Sequence, residues 1–322
     1  MVGMQTPRRV RELGITVGTL PTGPLNAITD VAGVRVGQTT LTGDGVNTGV
    51  TAIVPDDYAG TLPAAIAVGN GYGKLVGSTQ VDELGVIETP ILLTGTLSTF
   101  RVADAFVTWL LARDPSATSL NPIVGETNDG HLSDIRRRPI TPTHVHAALD
   151  SASPTLPLEG CAGAGTGTCA LGFKAGIGTS SRVLDRGTVG VLVQANFSGV
   201  LTVLGKQLPA EPIDADGNSC MIVVATDLPL DSRQLGRLAR RAIFAMSRVG
   251  SDYSPGSGDY AIAFTTNRTP TYADRDLRTP FQAVMESVEE ALLNSLTMAQ
   301  TTTGHQNHTA HAVPHERIQN LT

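Results

Sequence analysis

Aromatic and charged residues are scarce in this sequence. Rings make up 4% of its 322 positions and Asp, Glu, Lys and Arg together 16%, against 35 glycines and 41% apolar residues. A chain this long can bury a sizeable core, but with few large side chains that core must be small residues in tightly packed layers of sheets and helices. There is no excess of positive charge either. The net charge is −6, and no basic run is interleaved with aromatics, so nucleic acid is excluded as an expected partner. No apolar run approaches membrane-spanning length, and no apolar stretch follows the arginines of "MVGMQTPRRVRELG". The expectation is a soluble, cytoplasmic protein that does not engage membranes. Three cysteines, Cys161, Cys169 and Cys220, are odd in number and lack C-x-x-C spacing, which argues against a disulfide framework and a thiolate metal site and for buried small residues. No internal repeat and no clear linker divides the chain, so residues 1–322 read as one domain.

Short strand-like runs between Gly/Asp turns fill the first third: "NAITDVAGVRVGQTTL", "TGVTAIVP", "AAIAVGNGYGK" and "ETPILLTGTL". In "STFRVADAFVTWLLARD", Val102, Phe106, Trp109 and Leu110 fall at helical spacing. Residues 139–160 are rich in Pro, Thr, Ser and His, and a glycine-dense segment follows. "TVGVLVQANF" and "SCMIVVATDLPL" then read as strands, joined through the surface loop "GKQLPAEPIDADGN". "DSRQLGRLARRAIFAMSRVG" is a helix capped by Asp231 with Gln234 three residues on, and Gly250 is its stop. "DYAIAFTTN" alternates Tyr260, Ile262 and Phe264 with small residues, as a half-covered strand does. "TPFQAVMESVEEALLNSL" is a helix capped by Thr279 with Pro280 in its first turn, and the tail after it shows no core pattern.

Between the last two of these helices lies "SPGSGDY". Its Ser257, flanked by Gly256 and Gly258, stands where a strand begins. The spacing and the helix–loop–strand order do not fit a nucleophile elbow, and nothing assigns a histidine to this serine. A third chemistry fits: the hydroxyl attacks the preceding carbonyl, the chain shifts to an ester, and water frees an α-amine beside the hydroxyl. That amine has a reference pKa of about 8, so it can serve as the base a weak nucleophile needs. Such chemistry needs little bulk before the bond and tolerance of strain, both of which Gly256 offers. Gly250-Ser251 is a rival dipeptide, already explained by the helix stop. Judged alone, "SPGSG" is also a plain flexible turn.

The segments "LNAITDVAGVRVGQTTL", "GNGYGKLVGSTQVDELGVIETPILLTGTLS", "VGETNDGHLSDI", "GAGTGTCALGFKAGIGTSSR", "GVLVQANFSG", "GNSCMIVVATDLPL", "SGDYAIAFTTN" and "ESVEEALLNSL" run in order over most of residues 13–296. Together they resemble the L-aminopeptidase/D-esterase/amidase family, which includes the β-peptidyl aminopeptidases, self-processing serine hydrolases akin to N-terminal-nucleophile enzymes. The resemblance implies a four-layer α/β/β/α sandwich, cleavage between Gly256 and Ser257 into 1–256 and 257–322, and hydrolysis of peptide, amide or ester bonds after an N-terminal aminoacyl group. It places the nucleophile on Ser257, a hydroxyl–carboxylate pair on Ser287 and Glu289, the oxyanion donor on Asn218 and the substrate-entrance acid on Glu126. Asn128 takes a position that varies among relatives. The pairing implies that changing Glu289 depresses hydrolysis while changing Glu290 next door does little. No cofactor or metal is implied, and a homo-oligomer, a tetramer of processed units, is.

Each assignment has a plainer alternative. Positions two apart on a regular helix do not face each other, so Ser287 and Glu289 also read as helix-surface residues. Asn218, Asn196 and Asn267 also read as turn formers, and Glu126 as one of several solvated acids with Asp129 and Asp134. "GAGTGT" has its third glycine misplaced for a dinucleotide fingerprint and no strong strand before it. His305, His308, His311 and His315 share their segment with Gly304 and Pro314 and no carboxylate scaffold, and read as a solvated tail. Two other functions remain open: an unprocessed small-molecule binding protein of the same fold, and an acyltransferase with an amine as acceptor.

Overall fold

Two ten-residue strands, Val34–Gly43 and Val46–Pro55, pair antiparallel and in register across Asp44-Gly45. Both turn residues have positive φ (50° and 72°), the type I′ geometry that matches strand twist and that Asp-Gly favours. This hairpin starts one of two sheets in the computed structural model, which describes residues 5–56, 58–210, 213 and 218–321. The first sheet has the order Val34–Gly43, Val46–Pro55, Ile91–Gly95, Ile123–Thr127, Leu75–Val76. The second runs Ile177–Leu184, Gly187–Asn196, Ser219–Thr226, Gly258–Thr265, Leu62–Gly71, Val86–Ile87.

Three buried clusters between successive layers show how these sheets stack. One joins Val50, Ala52, Leu92 and Val124 of the first sheet to Val102, Phe106, Trp109 and Val145 of the helices Thr99–Leu111 and Pro142–Asp150. A second lies between the sheets, with Ile53, Ile91 and Leu93 against Met221, Val223, Tyr260, Ile262 and Phe264. The third joins Val191, Cys220, Val224, Ala261 and Ala263 to Leu235, Leu238, Ala242, Val288 and Leu292 of the helices Ser232–Ala245 and Arg278–Thr297. The result is the expected helix, sheet, sheet, helix stack. Strand period two explains the sorting: Tyr260, Ile262 and Phe264 face the other sheet while Ala261 and Ala263 face helices.

Several sequence expectations need correction. Gly258–Thr265 is buried at all eight positions and covered on both faces, because it lies inside the six-stranded sheet under the helix Ser232–Ala245. The last long helix starts at Arg278 with no side-chain cap, and Thr279 lies inside its first turn. A helix, Pro142–Asp150, occupies the Pro/Thr/Ser/His segment and buries Val145, Ala148 and Leu149. The tail is not merely solvated: Ala310, Val313, His315 and Ile318 are buried, and the His308 ring stacks on His131 at 4.7 Å. Asp231 does cap its helix, its carboxylate accepting the Gln234 N–H at 2.6 Å. Of the loop read at 205–218, residues 211, 212 and 214–217 lie outside the described residues. Among the described residues no helix is long and apolar enough to cross a membrane.

Candidate active site

The approach to Ser257 begins at Gly250, whose φ of 96° ends the short turn Met246–Val249. The chain then bridges to Gly199 through Ser251, and Ser257 N–H donates to Ser254 O at 3.0 Å just before the strand. Neighbouring chain pins the serine on both sides. Tyr72 N–H donates to Ser257 O and Gly258 N–H to Asn218 O, each at 3.1 Å. Residues i and i+2 of a strand share a face, which sets Ser257 beside Asp259. The serine hydroxyl, in a residue 1% exposed, donates to Asp259 Oδ1 at 2.7 Å. Asn70 Nδ2 holds the other oxygen at 2.9 Å. Burial pushes the Asp259 carboxyl above its usual range; the Ser257 and Asn70 hydrogen bonds oppose this, and Asp252 adds to it.

Hydrogen bonds and adjoining backbone connect this serine to three other sequence candidates. Asn218 lies one residue before its strand, with its carbonyl on Gly258 and its Nδ2 3.3 Å from Ser198 Oγ. Ser198 in turn donates to Asp252 at 2.6 Å. Beside Asn218, Ser219 Oγ accepts the Asn128 N–H at 3.1 Å, which ties the end of Ile123–Thr127 to the same corner. Glu126, buried in that strand, accepts Lys74 N–H at 3.0 Å and Lys74 Nζ at 3.2 Å. Lys74 follows Tyr72 and Gly73, so the carboxylate stands two residues from a backbone group bonded to Ser257. Next to Asn218 opens a cavity of about 450 Å³ walled by Asn196, Ser198 and Ser251 and by apolar Leu171, Phe197 and Val200. Ser257 itself does not line it.

Ser287 and Glu289 are not brought to the nucleophile. Ser180 Oγ donates to the Ser287 carbonyl at 2.6 Å. Across the sheet Ser180 pairs with Val191, Val191 with Val224, and Val224 with Ala263. Ser287 therefore sits level with Ala263, about 20 Å along the strands from Ser257 at roughly 3.3 Å per residue. Its own hydroxyl is buried with no hydrogen-bond partner among the described residues. Glu289 points to another side of the helix, where it accepts Arg248 Nη1 at 3.1 Å. Burial pushes its carboxyl up and Arg248 opposes. On a regular helix the two side chains cannot meet, and here they do not.

Three further placements matter. Gly256 has neither a left-handed φ nor a close neighbour, since a Cβ there would meet nothing within 4 Å, so the expected relief of crowding and strain is not why glycine stands there. Asn267 is at the far end of the strand, where its Oδ1 accepts the Thr269 N–H as a turn former. Asn196 belongs to the near end, opposite Ser219, and its Oδ1 accepts the Cys169 N–H at 3.0 Å. Asp259 and Asn70 escaped the sequence reading. The i, i+2 spacing of Ser257 and Asp259 was the available signal; Asn70, from a distant strand, left none.

Comparison with known proteins places this geometry in context. Residues 26–310 match the profile of peptidase family S58. The beta-peptidyl aminopeptidase BapA of Sphingosinicella xenopeptidilytica is 39% identical, over 96% of this chain and 90% of its own. The PH0078 protein of Pyrococcus horikoshii OT3 superposes with a TM-score of 0.91 at 40% identity, covering 97% of this chain and 98% of that one. The L-aminopeptidase D-Ala-esterase/amidase of Ochrobactrum anthropi, described as a prototype for the serine aminopeptidases and a variant of the Ntn hydrolase fold, gives 0.87 at 35% identity over 96% of both chains.

Proposed function

The chain belongs to peptidase family S58 and is a serine-type aminopeptidase, and from that premise we propose that it cuts itself between Gly256 and Ser257 and then works with Ser257 as its N-terminal nucleophile. The observation that carries the reading is an asymmetry at that bond. Ser257 is buried and pinned from both neighbouring strands, while the Cβ direction of Gly256 is open space, so the chain before the bond can withdraw and leave the serine in place.

In the cleaved form, Ser257 Oγ attacks the acyl carbon of a peptide, amide or ester that bears a free amino group, and the new α-amine takes the hydroxyl proton. Asn218 Nδ2 supplies a hydrogen bond to the oxyanion. Glu126 meets the substrate ammonium, a cation it already attracts in the form of Lys74, and Asn128 stands at the rim. The resulting ester is released by water, and no cofactor takes part. Ser287 and Glu289 have no role in this scheme, because the fold holds Ser287 far from the reacting atoms and turns Glu289 toward Arg248. Short L-peptides, β-peptides and D-alanyl esters, the classes named for relatives, are the first substrates to try. Processed units assemble as a homo-oligomer in the cytoplasm, which light scattering and fractionation test.

Denaturing electrophoresis and N-terminal sequencing test the cleavage. The expected small fragment begins Ser-Gly-Asp-Tyr. A fragment beginning at Ser251, or a single intact chain that is active, overturns the reading.

A further inference from the structure

Before cleavage Ser257 has no α-amine, so the proton leaving its hydroxyl needs another acceptor. We propose that Asp259 is that acceptor, the general base of the chain's own maturation; this rests on the reading that the cut falls before Ser257. Of the side chains around the serine, Asp259 is the one its hydroxyl contacts, at 2.7 Å, with both residues buried. The carboxylate is also fixed. Asn70 Nδ2 binds Oδ2 at 2.9 Å and reaches the carbonyls of Tyr253 at 3.1 Å and Ser254 at 3.4 Å, so one amide sets the base and the approaching loop in a common frame. No ion pair among the described residues engages Asp259, in contrast to the arginine-bound carboxylates elsewhere in the protein. A carboxylate that only hydroxyl and amide groups satisfy keeps its affinity for a proton.

The Oγ proton passes to Asp259 Oδ1 while Oγ bonds to the Gly256 carbonyl carbon. The Gly256–Ser257 C–N bond breaks, and the nitrogen takes the proton back from Asp259 to become the α-amine. Water then adds to the ester, leaving a carboxylate on Gly256 and a hydroxyl on Ser257 and releasing one proton. Asp259 ends unchanged.

The titratable groups that interact with Asp259 are Asp252 in the approaching loop, Tyr253, Tyr260 next to it on the strand and Cys220 on the adjacent strand. Of these, burial raises both tyrosines and Cys220 above their ordinary values, and Asp252 acts on Asp259 by its charge. Burial and Asp252 hold Asp259 above the ordinary carboxyl range, so cleavage should speed up as pH rises through that raised value and then level off.

The test follows full-length chains from cell-free synthesis by intact mass. Wild type is compared with Asp259→Asn, which keeps an oxygen for the serine and removes the base, and with Asp259→Glu. Asparagine should slow cleavage by about 10²-fold or more, the usual worth of a general base, with the thermal melt retained and glutamate restoring part of the rate. Cleavage of a folded Asp259→Asn chain within threefold of wild type overturns the proposal. Should that variant fail to melt cooperatively, the wild-type rate decides: a rate that does not fall toward the acid end of the whole pH range in which the uncut chain stays folded overturns the assignment, and a rise to a plateau supports it. A wild-type chain that stays uncut, or is cut elsewhere, removes the self-cleavage reading itself and is seen before any variant is compared.

Discussion

Two regions of this protein each bury a serine among carboxylates, and they use them differently. At the end of the second sheet, Ser257 and Asn70 satisfy Asp259, no cation among the described residues pairs with it, and burial raises its carboxyl. On the helix Arg278–Thr297, Ser287 lies between Glu286 and Glu290, both tied to a fully buried Arg182 at 3.0 and 2.7 Å. Glu290 also binds Arg11 at 2.6 and 2.9 Å and Asn26 at 2.6 Å, and Glu286 accepts the N–H groups of Thr19 and Leu20. Burial works to raise Glu286 and Glu290 as well, but these partners outweigh it and hold both carboxyls low. The two sites therefore differ in what holds their carboxylates. Glu286 and Glu290, bound to buried guanidinium and amide groups, lock the N-terminal segment to the helix and keep their charge; Asp259, bound by a hydroxyl and an amide, keeps its affinity for a proton.

The largest effect that could break this division is at Ser257. Ser257→Ala should leave one uncut chain with activity reduced by about 10⁴-fold or more, measured as kcat/KM on an aminoacyl anilide beside intact mass. An active Ser257→Ala protein would dissolve the distinction, since the chemistry would then lie elsewhere.

Glu290→Gln tests the other side. Removing one partner of a buried ion cluster should cost about 3–5 kcal/mol of stability by denaturant melts at pH 7. The sign with pH follows from the lowered carboxyl: its contribution is present above the unfolded value of about 4.3 and is lost as pH falls, so the gap from wild type should shrink near pH 3.5. An unchanged melt at pH 7 would place Glu290 outside the lock.

Asn218→Ala should slow kcat by about 10²–10³-fold in protein that still processes, the typical worth of an oxyanion donor. A loss below tenfold would move that donor to another group, with Asn196 the neighbour to try next. Glu289→Gln is the smallest effect: kcat/KM within about threefold of wild type, because this carboxylate faces Arg248 at the helix edge. A hundredfold loss there would restore the pairing with Ser287 that the fold does not support.

Much of the architecture was legible because period-two and helical spacing are local. Tyr260, Ile262 and Phe264, or Val102, Phe106 and Trp109, announce a strand and a helix without help from distant chain. Ser257 was legible for the same reason, standing between glycines where a strand begins. Its surroundings were not. Whether a carboxylate is paired with arginine or with an amide depends on Arg11, Asn26, Asn70 and Arg182, which reach it from strands and loops a hundred or more residues away. Resemblance put a catalytic role on Ser287 and Glu289, and helix geometry, which sends side chains two apart in different directions, already argued against it. The buried pattern of Val145, Ala148 and Leu149 was present in the Pro/Thr/Ser/His segment but masked by its composition.

Gly258–Thr265 runs parallel to Ser219–Thr226 on one side and antiparallel to Leu62–Gly71 on the other, in the middle of its sheet. A cut after Gly256 thus produces two polypeptides that are woven together, with the shorter one contributing an interior strand and the long helix that packs over Ile177–Leu184 and Gly187–Asn196. Dilution cannot separate such a pair; only unzipping the sheet can. Once unzipped, the fragments must find each other by collision, and recovery becomes second order in protein concentration where the uncut chain would refold at a rate independent of it. Cleavage at this position would make recovery depend on two chains meeting, where the uncut chain needs only itself.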